Sequence, residues 1–488
     1  MYRPTLEVAR AVNKSFKIIP VSAEMLADEI TPVMLLKKLK KVSGNCFILE
    51  SAEDSKRWGR YTFLGFDPKT EISCLNGMAK LKTGNTFEIK TENPNVLIKN
   101  ILTEHKSVKF DYLPPFTGGL VGYFGYDYAK YTTPELKLDA PDDEGFNDVD
   151  LMLFDKIIAF DNFKQKIIIM VNISTENLEE NYANAVKQLD YIKDIITNGE
   201  AEETAPPQLK SEFKPLFDKD EFCAIVSKAK KHIADGEVSQ VVLSNRLEAD
   251  FEGSILNAYR VLRTINPSPY MFYFSGSTIE IAGASPETLV KLQDGKLHTF
   301  PIAGTRPRGV DNHEDIALEE DLLSDEKERS EHNMLVDLGQ EDLRKISKEG
   351  SVKIEKYMRI LRFSHVMHIC SEISGEIRED LTGLDAINSV LPAGTLSGAP
   401  KIKAMQIINE LENKKRGIYG GAIGYLDFAG NMDTCIAIRA AYKKGEKVFI
   451  RSGAGVVAGS VPEAEYQECV NKAQAVKSAL EQAAEVIK

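Results

Sequence analysis

Residues 118–123 of this chain read GGLVGY, and residues 420–425 read GGAIGY. Each segment reads as a strand of the form GG-x-x-GY, and the two lie in opposite halves of the chain. Two such strands could pair, or they could pack around a shared core. Chance recurrence of small residues is the alternative, and segments this short do not separate the explanations.

The clearest linker lies between these segments, at residues 198–215, which read NGEAEETAPPQLKSEFKP. It is polar, acidic and proline-bearing, with no helical or strand period. We therefore divide the chain into an N-terminal region, 1–197, and a C-terminal region, 216–488.

Local patterns predict elements on both sides of the linker. The predicted strands cover 156–158 and 166–171, joined as a hairpin, and 238–243. The predicted helices cover 175–197, 220–235, 254–265 and 397–412. A last helix is expected after Ser460, because Ser460 and Glu463 have the S-x-x-E form of a capping box.

The composition is that of a globular protein. The chain has 488 residues, with 61 Lys and Arg against 73 Asp and Glu, so its formal net charge is −12. This excess of acid argues against a nucleic-acid-binding or polybasic membrane surface. Hydrophobic residues make up 43% and charged residues 27%, which excludes a mainly disordered chain.

The cysteines and the N terminus favour a cytoplasmic location. The six cysteines include no C-x-x-C pair, which favours free thiols over a disulfide framework or a zinc site. The first residues show no secretory signal, and no apolar run approaches the roughly 18 residues of a spanning helix. We expect a cytoplasmic protein with no nucleic-acid or membrane partner.

Two pairs of glutamates stand three residues apart in helical stretches. Glu328 and Glu331 form one pair, and Glu465 and Glu468 form the other, with Lys472 one turn further on. Residues at this spacing share one helix face. Two carboxylate pairs suit Mg²⁺, which prefers hard oxygen ligands. Isolated acidic pairs are commonest on solvated helix faces, so both interpretations stay open.

Three stretches of small residues offer backbone N–H groups to an anion. They are SGAGVVAGS at 452–460, AGTR at 303–306 and PAGTLSG at 392–398. None has the spacing of a nucleotide-binding loop. As isolated turns, such stretches are most often structural loops.

Two histidines and one arginine are further candidates. His365 and His368 stand three apart in a predicted strand, so their side chains point to opposite faces. A single buried histidine is more often a core residue than a catalyst. Arg439 closes an apolar strand and needs an anion there, either a carboxylate or a ligand.

Seven ordered motifs together resemble the chorismate-utilising enzymes, and most closely the large-subunit family of anthranilate synthases. They are ASPETLVKL at 284–292, FPIAGTRPRG at 300–309, ERSEHNMLVDL at 328–338, LPAGTLSGAPKIKAM at 391–405, GIYGGAIGYL at 417–426, DTCIAIRAA at 433–441 and SGAGVVAGSVPEAEYQE at 452–468. The resemblance implies an α/β fold in which a large two-sheet sandwich is flanked by helices.

The resemblance also implies an activity. Chorismate and ammonia would give anthranilate and pyruvate with Mg²⁺ as cofactor, and tryptophan would act as feedback inhibitor. A separate glutamine amidotransferase subunit, component II, would supply the ammonia within a heterotetramer. None of the six cysteines has the context of an amidotransferase nucleophile, which agrees with a separate subunit.

The family motifs imply roles for individual residues. The metal ligands would be Glu328, Glu331, Glu465 and Glu468. The substrate would meet Gly304, Thr305, Tyr419, Arg439, Gly453, Ala454 and Gly455. His368 would be the general acid for the leaving hydroxyl, with Thr395 and Lys472 beside it. Tryptophan would bind at Glu50, Ser51, Pro269, Tyr270 and Met271.

Three features discriminate within the family, and the tryptophan-site elements at 49–51 and 266–271 are one of them. Ala303 stands where aminodeoxychorismate synthases typically carry a lysine nucleophile, and a methyl group cannot attack the ring. Gln240 stands where isochorismate synthases carry a water-activating lysine, and an amide is not a base. The alternatives are aminodeoxychorismate synthase component I and, in another class, a catalytically silent tryptophan-binding regulator.

Overall fold

A computed structural model describes residues 2–12, 15–52, 58–203, 205–362 and 366–486. Within those ranges the chain forms one sheet of 14 strands and one of 12 strands. The paired strands run antiparallel, and helices cover the sheets. The predicted two-sheet sandwich flanked by helices is confirmed.

The strands and helices are numbered in chain order. The strands are β1 (Tyr2–Arg3), β2 (Ile18–Leu26), β3 (Cys46–Glu50), β4 (Tyr61–Phe66), β5 (Thr70–Leu75), β6 (Met78–Thr83), β7 (Asn85–Lys90), β8 (Gly119–Phe124), β9 (Val149–Phe154), β10 (Lys156–Asp161), β11 (Lys166–Ser174), β12 (Gln208–Leu209), β13 (Lys214–Pro215), β14 (Gln240–Glu252), β15 (Tyr270–Ser275), β16 (Ile279–Ser285), β17 (Thr288–Gln293), β18 (Lys296–Thr299), β19 (Ile302–Pro307), β20 (Lys353–Arg362), β21 (Val366–Glu376), β22 (Gly398–Ala399), β23 (Ala422–Asp427), β24 (Met432–Ile436), β25 (Ala440–Lys444) and β26 (Lys447–Val456). The helices are α1 (Leu6–Val12), α2 (Pro32–Val42), α3 (Asn95–Glu104), α4 (Leu178–Asn198), α5 (Lys219–Ala234), α6 (Leu256–Ile265), α7 (Asn312–Ser324), α8 (Glu326–Arg344), α9 (Gly383–Val390), α10 (Lys401–Glu412) and α11 (Pro462–Gln482).

Both sheets take strands from both sequence regions. The first runs β1-β2-β11-β10-β4-β3-β15-β16-β25-β26-β14-β12, with β13 and β22 also on β14. The second runs β19-β21-β18-β17-β24-β23-β8-β9-β5-β6-β7, with β20 on β21. The two regions meet at β3–β15 in one sheet and at β8–β23 in the other. The linker therefore separates two stretches of sequence that share both sheets, and part of it forms β12 and β13.

The two GG-x-x-GY segments form the junction in the second sheet. Gly122 of β8 faces Gly424 of β23. A Cβ atom on Gly122 would lie 2.1 Å from the Asp150 carbonyl oxygen, and one on Gly424 would lie 2.0 Å from that of Asp433. Pairing is thus the correct explanation of the repeat. Glycine is needed at both positions because a side chain would push β9 away from β8 and β24 away from β23.

The sandwich has one core between the sheets and one outside the larger sheet. Along β11, Ile168 and Met170 point into the inner core, while Ile167 and Ile169 point outward. The outer core is covered by α2, α4, α6 and α11. A strand that is buried on both faces explains the uninterrupted apolar run in this part of the sequence. In the described ranges, every helix is too short or too polar to span a bilayer.

Most local predictions are confirmed, and one cap is wrong. The hairpin is β10–β11, and the predicted helices appear as α4, α5, α6 and α10. The helix predicted over 397–412 begins only at Lys401, because residues 398–399 pair with β14 as β22. The last helix begins at Pro462 with Val461 at its N-cap. The Ser460 hydroxyl instead accepts the Val457 N–H at 3.0 Å, so the capping box does not form. His365 lies outside the described residues.

Replacing Gly424 by alanine should destabilise the fold. The added methyl group would overlap the Asp433 carbonyl oxygen. We expect the free energy of unfolding in urea to fall by about 3 kcal/mol or more. Gly44→Ala is the control, because a Cβ atom there meets open space. Equal unfolding midpoints for the two variants would contradict the role assigned to this junction.

Candidate active site

The candidate site lies where the chain crosses between the two sheets. One crossing joins β16 to β17 and contains Glu287, and the other joins β24 to β25 and contains Arg439. The Ile436 N–H donates to the Glu287 carbonyl at 2.9 Å, and the Ala284 N–H donates to the Arg439 carbonyl at 3.1 Å. The two crossings therefore hold each other side by side.

Arg439 is a buried cation at this crossing. Its backbone adopts the left-handed conformation, with φ of 54°. One guanidinium N–H donates to the Lys472 carbonyl at 2.5 Å. Burial lowers the pKa of Arg439, and Tyr419 and Glu468 oppose that effect. Among the described residues no carboxylate pairs with Arg439, which favours a ligand as its anion.

Lys472 lies on α11 beside Arg439. Its ammonium donates to the Gly453 carbonyl at 3.1 Å and pairs with Glu468 at 2.5 Å. The Tyr419 hydroxyl approaches the same glycine so closely that a Cβ atom on Gly453 would lie 2.7 Å from it. The lysine, the tyrosine and Gly453 thus enclose one end of the cleft.

The predicted glycine loop is partly a strand. Residues 452–456 are the end of β26 and pair with β14. The Ala454 side chain is fully buried in a core shared with α5 and α10. Only the backbone of this stretch can face the cleft. A Cβ atom on Gly455 would lie 2.6 Å from the Gln240 amide nitrogen, which makes this glycine necessary for the approach.

His368 lies on β21, across the cleft. Its Nδ1 donates to the Gly304 carbonyl at 2.8 Å and lies 3.1 Å from the Thr305 hydroxyl. Burial lowers the pKa of His368, and Arg439 and Lys472 lower it further. A neutral imidazole whose proton is on Nδ1 presents Nε2 as an acceptor. The acid role expected for His368 stays a prediction.

The first glutamate pair lies in the first turns of α8. Burial raises the pKa of Glu328, and the neighbouring carboxylates of Glu331 and Asp325 raise it further. A Cβ atom on Gly304 would lie 3.2 Å from a Glu328 carboxylate oxygen, so the pair borders the same cleft. Gln240 donates to Glu331 at 3.3 Å.

The second pair lies at the start of α11. Burial raises the pKa of Glu465, Ser460 lowers it, and the charge of Glu468 raises it. Lys327 of α8 also acts on Glu465, so the acidic ends of the two helices face each other. The oxygen donors and their mutual repulsion fit a divalent cation. Within the described residues, however, no three or more potential ligands converge on one point.

The chain is similar to known proteins over nearly its whole length. Residues 44–478 match the family model of the chorismate binding enzymes. Anthranilate synthase component 1 of Acetivibrio thermocellus is 45% identical over 495 aligned residues, covering 100% of both chains. This chain belongs to the chorismate-binding enzyme family. The resemblance drawn from the motifs is confirmed.

Two solved structures are similar to this chorismate-binding enzyme. Anthranilate synthase component I of Streptococcus pneumoniae matches with a TM-score of 0.78 and 35% identity, covering 93% of this chain and 98% of that one. The menaquinone-specific isochorismate synthase of Escherichia coli matches with a TM-score of 0.69 and 20% identity, covering 97% and 98%. The second likeness concerns the fold alone.

The sequence analysis missed one titratable group of this chorismate-binding enzyme. Burial raises the pKa of Glu287 to about 8, although the Thr395 hydroxyl and Lys472 lower it. The Thr395 hydroxyl donates to the Glu287 carboxyl at 3.2 Å. A carboxyl group that keeps its proton near neutral pH can act as an acid. Glu287 belongs to a quoted motif, ASPETLVKL, but that motif contains no sign of its burial.

A cavity of about 660 Å³ is lined by all five residues predicted to bind tryptophan. It lies at the β3–β15 junction and is also lined by β23 and β24. The Glu50 carboxylate is held by Arg263 at 2.5 Å and by the Tyr259 hydroxyl. The Tyr270 hydroxyl donates to Asp433 at 2.8 Å. Both side chains therefore have fixed partners at the cavity wall.

Glu287→Gln should change how stability depends on pH. The ordinary pKa of a glutamate is 4.5, and that of Glu287 in the folded enzyme is about 8. Between these values the native state holds a proton that the unfolded chain lacks. The free energy of unfolding of the wild type should therefore fall, relative to Glu287→Gln, by roughly 1.4 kcal/mol per pH unit.

Urea unfolding at a series of pH values measures this difference. The difference in the free energy of unfolding between the two proteins should become constant above pH 8, where both the folded and the unfolded wild type have lost the proton. The exposed Glu481 at the end of α11 provides a control in Glu481→Gln. Parallel pH profiles for the wild type and Glu287→Gln would contradict a protonated Glu287.

Proposed function

We propose that this chain is the chorismate-converting subunit of an anthranilate synthase, which forms anthranilate for tryptophan biosynthesis. The observation that carries the proposal is the 45% identity to a curated anthranilate synthase component 1 over the whole chain. A shared fold alone would not carry an activity, because one fold hosts several. The similarity extends over the full length and so covers the segments that form the cleft.

The chemistry of the cleft supports this activity over its nearest rivals. Ala303 on β19 offers only a methyl group, so no side chain at this position can attack the ring. Gln240 is bound to Glu331 and has no basic nitrogen with which to activate water. Both features favour ammonia as the nucleophile. They disfavour attack by a lysine side chain and addition of water to the ring.

The buried cations would orient chorismate, which carries two carboxylates. Arg439 would receive the enolpyruvyl carboxylate, together with Tyr419 and the backbone of residues 453–455. Gly304, Thr305 and Thr395 would border the other carboxylate. The absence of a carboxylate partner for Arg439 among the described residues supports this orientation.

Glu287 and His368 would divide the proton transfers. Ammonia adds at C2 and the C4 hydroxyl leaves, which requires a proton because hydroxide is a poor leaving group. Glu287 has that proton at neutral pH and is our choice for the acid. Loss of the C2 proton and of pyruvate then makes the ring aromatic. The Nε2 atom of His368 is our choice for the base. Burial lowers the pKa of His368, so the imidazole is neutral, and its single proton is on Nδ1, which leaves Nε2 able to accept one.

Mg²⁺ would be held by the two glutamate pairs, Glu328 with Glu331 and Glu465 with Glu468. Bound there, it would supply positive charge for the ring carboxylate of an anionic substrate in an acidic cleft. The raised pKa values of Glu328 and Glu465 support this assignment, because burial and then the repulsion of neighbouring carboxylates disfavour their charged forms, which a bound cation would stabilise.

A separate glutamine amidotransferase subunit, component II, would supply ammonia. Five of the six cysteines are buried, and Cys223 is half-buried on α5. Burial keeps them from acting as a glutaminase nucleophile. The component 1 name of the relatives also supports a second component, and we propose a heterotetramer in the cytoplasm.

Tryptophan would bind in the 660 Å³ cavity as a feedback inhibitor. Charged groups of both signs line it, among them Arg60 with Asp161 and Lys291 with Asp433. Such pairs suit a zwitterionic amino acid. Occupancy would lower chorismate affinity through a population shift.

The purified chain alone should form anthranilate from chorismate, ammonium and Mg²⁺. Anthranilate fluorescence should appear with equimolar pyruvate, disappear with a chelator and return with added Mg²⁺. Glu287→Gln should lower turnover by about 10²–10⁴-fold, because the leaving hydroxyl loses its acid. An aminated product without pyruvate would identify aminodeoxychorismate synthase component I. A chain without turnover that binds tryptophan would be the silent regulator.

Ser51→Phe should abolish tryptophan sensitivity while turnover stays near that of the wild type. The larger side chain would fill part of the cavity, which lies outside the catalytic cleft. Inhibition curves for anthranilate formation measure this effect. Ser227→Phe, on the exposed face of α5, is the control. Joint loss of turnover and sensitivity would indicate a structural role for Ser51 instead.

A further inference from the structure

Lys401 is a largely buried lysine that the proposed mechanism does not use. Its ammonium donates to the Asp342 carboxylate at 2.7 Å and to the Val390 carbonyl at 3.1 Å. The side chains of Lys401 and Asp342 are 17% and 7% exposed. Asp342 lies near the end of α8, Val390 ends α9, and Lys401 begins α10. One ammonium group therefore joins three helices.

The segment 391–400, which connects α9 to α10, reaches two residues of the cleft. Thr395 donates to Glu287 at 3.2 Å. β22, later in the segment, pairs with the start of β14, where Gln240 lies opposite Ala399. Lys401 directly follows this segment, and its ammonium donates to the carbonyl of Val390, the residue just before the segment. Its ammonium therefore closes the segment into a loop and fixes that loop to α8, the helix that carries Glu328 and Glu331.

We propose that Lys401 is a positioning residue, whose bonds to Asp342 and Val390 hold Thr395 against Glu287. This inference rests on the proposed function, because it concerns the same reaction. A buried ion pair contributes little to stability compared with apolar residues of similar size. Positioning and stability can therefore be separated by replacing both partners.

The closing experiment compares the wild type with Lys401→Met, Asp342→Asn and the double variant Lys401→Met/Asp342→Leu. Lys345→Met is the matched control, because Lys345 bonds the other Asp342 oxygen at 3.1 Å from the solvent side. Urea unfolding reports stability. Turnover, KM for chorismate and the pH profile of turnover are measured at constant unprotonated ammonia.

The double variant should unfold at the same urea concentration as the wild type. Its turnover should nevertheless fall to about one tenth of the wild-type value or below. KM for chorismate should change by less than about twofold, because Arg439 and Lys472 stay in place. The alkaline limb of turnover should move up by about half a pH unit or more, because Glu287 loses the hydroxyl that lowers its pKa while Lys472 still faces it. Asp342→Asn should move the limb in the same direction, and Lys345→Met should leave it unchanged.

Three results would overturn the inference. A stable double variant with wild-type turnover and pH profile would show that Lys401 positions nothing. Loss of turnover in Lys401→Met that returns with stability in the double variant would show a structural role only. A wild type that forms no anthranilate would contradict the proposed function itself, before any variant is compared, and the inference would fall with it.

Discussion

The architecture depends on the close approach of strands around Gly122 and Gly424. Backbone carbonyl oxygens of Asp150 and Asp433 occupy the space where side chains would stand. The same two glycines lie opposite each other where β8 pairs with β23, and this pairing joins strands from the two regions of the chain into one continuous sheet. Since β3 and β15 make the corresponding junction in the other sheet, neither half of the chain can complete its sheets alone. The crossings that contain Glu287 and Arg439 run between these two sheets.

The positive and negative charges of the cleft come from different structural elements. Arg439 is supplied by a crossing between sheets, where burial lowers the pKa of its guanidinium and no carboxylate among the described residues forms an ion pair with it. The glutamate pairs are supplied by the first turns of α8 and α11. Glu287, between them, is neutral because burial outweighs the effects of Thr395 and Lys472. A dianionic substrate would thus meet a cation at one end and a metal-dependent site at the other.

The cavity and the cleft share a strand. The Tyr270 hydroxyl, at the cavity wall, lies 2.9 Å from the Thr288 hydroxyl. Thr288 directly follows Glu287 and begins β17. The cavity wall and Glu287 are therefore separated by one hydrogen bond and one peptide unit.

The sequence by itself determined the family, the helices and the paired glutamates, because ordered motifs and helical spacing are local properties. It also suggested the glycine pair, although it did not distinguish pairing from chance. Only the tertiary structure decided that residues 452–456 continue a strand, that Ser460 does not cap α11, and that burial raises the pKa of Glu287 and lowers that of His368. Two of these depend on partners distant in the sequence: β14 for the strand, and Thr395, Arg439 and Lys472 for the two titratable groups. The Ser460 hydroxyl bonds to the nearby Val457, a choice that the S-x-x-E spacing did not reveal. Protonation follows burial and neighbouring charge, and neither is encoded in adjacent residues.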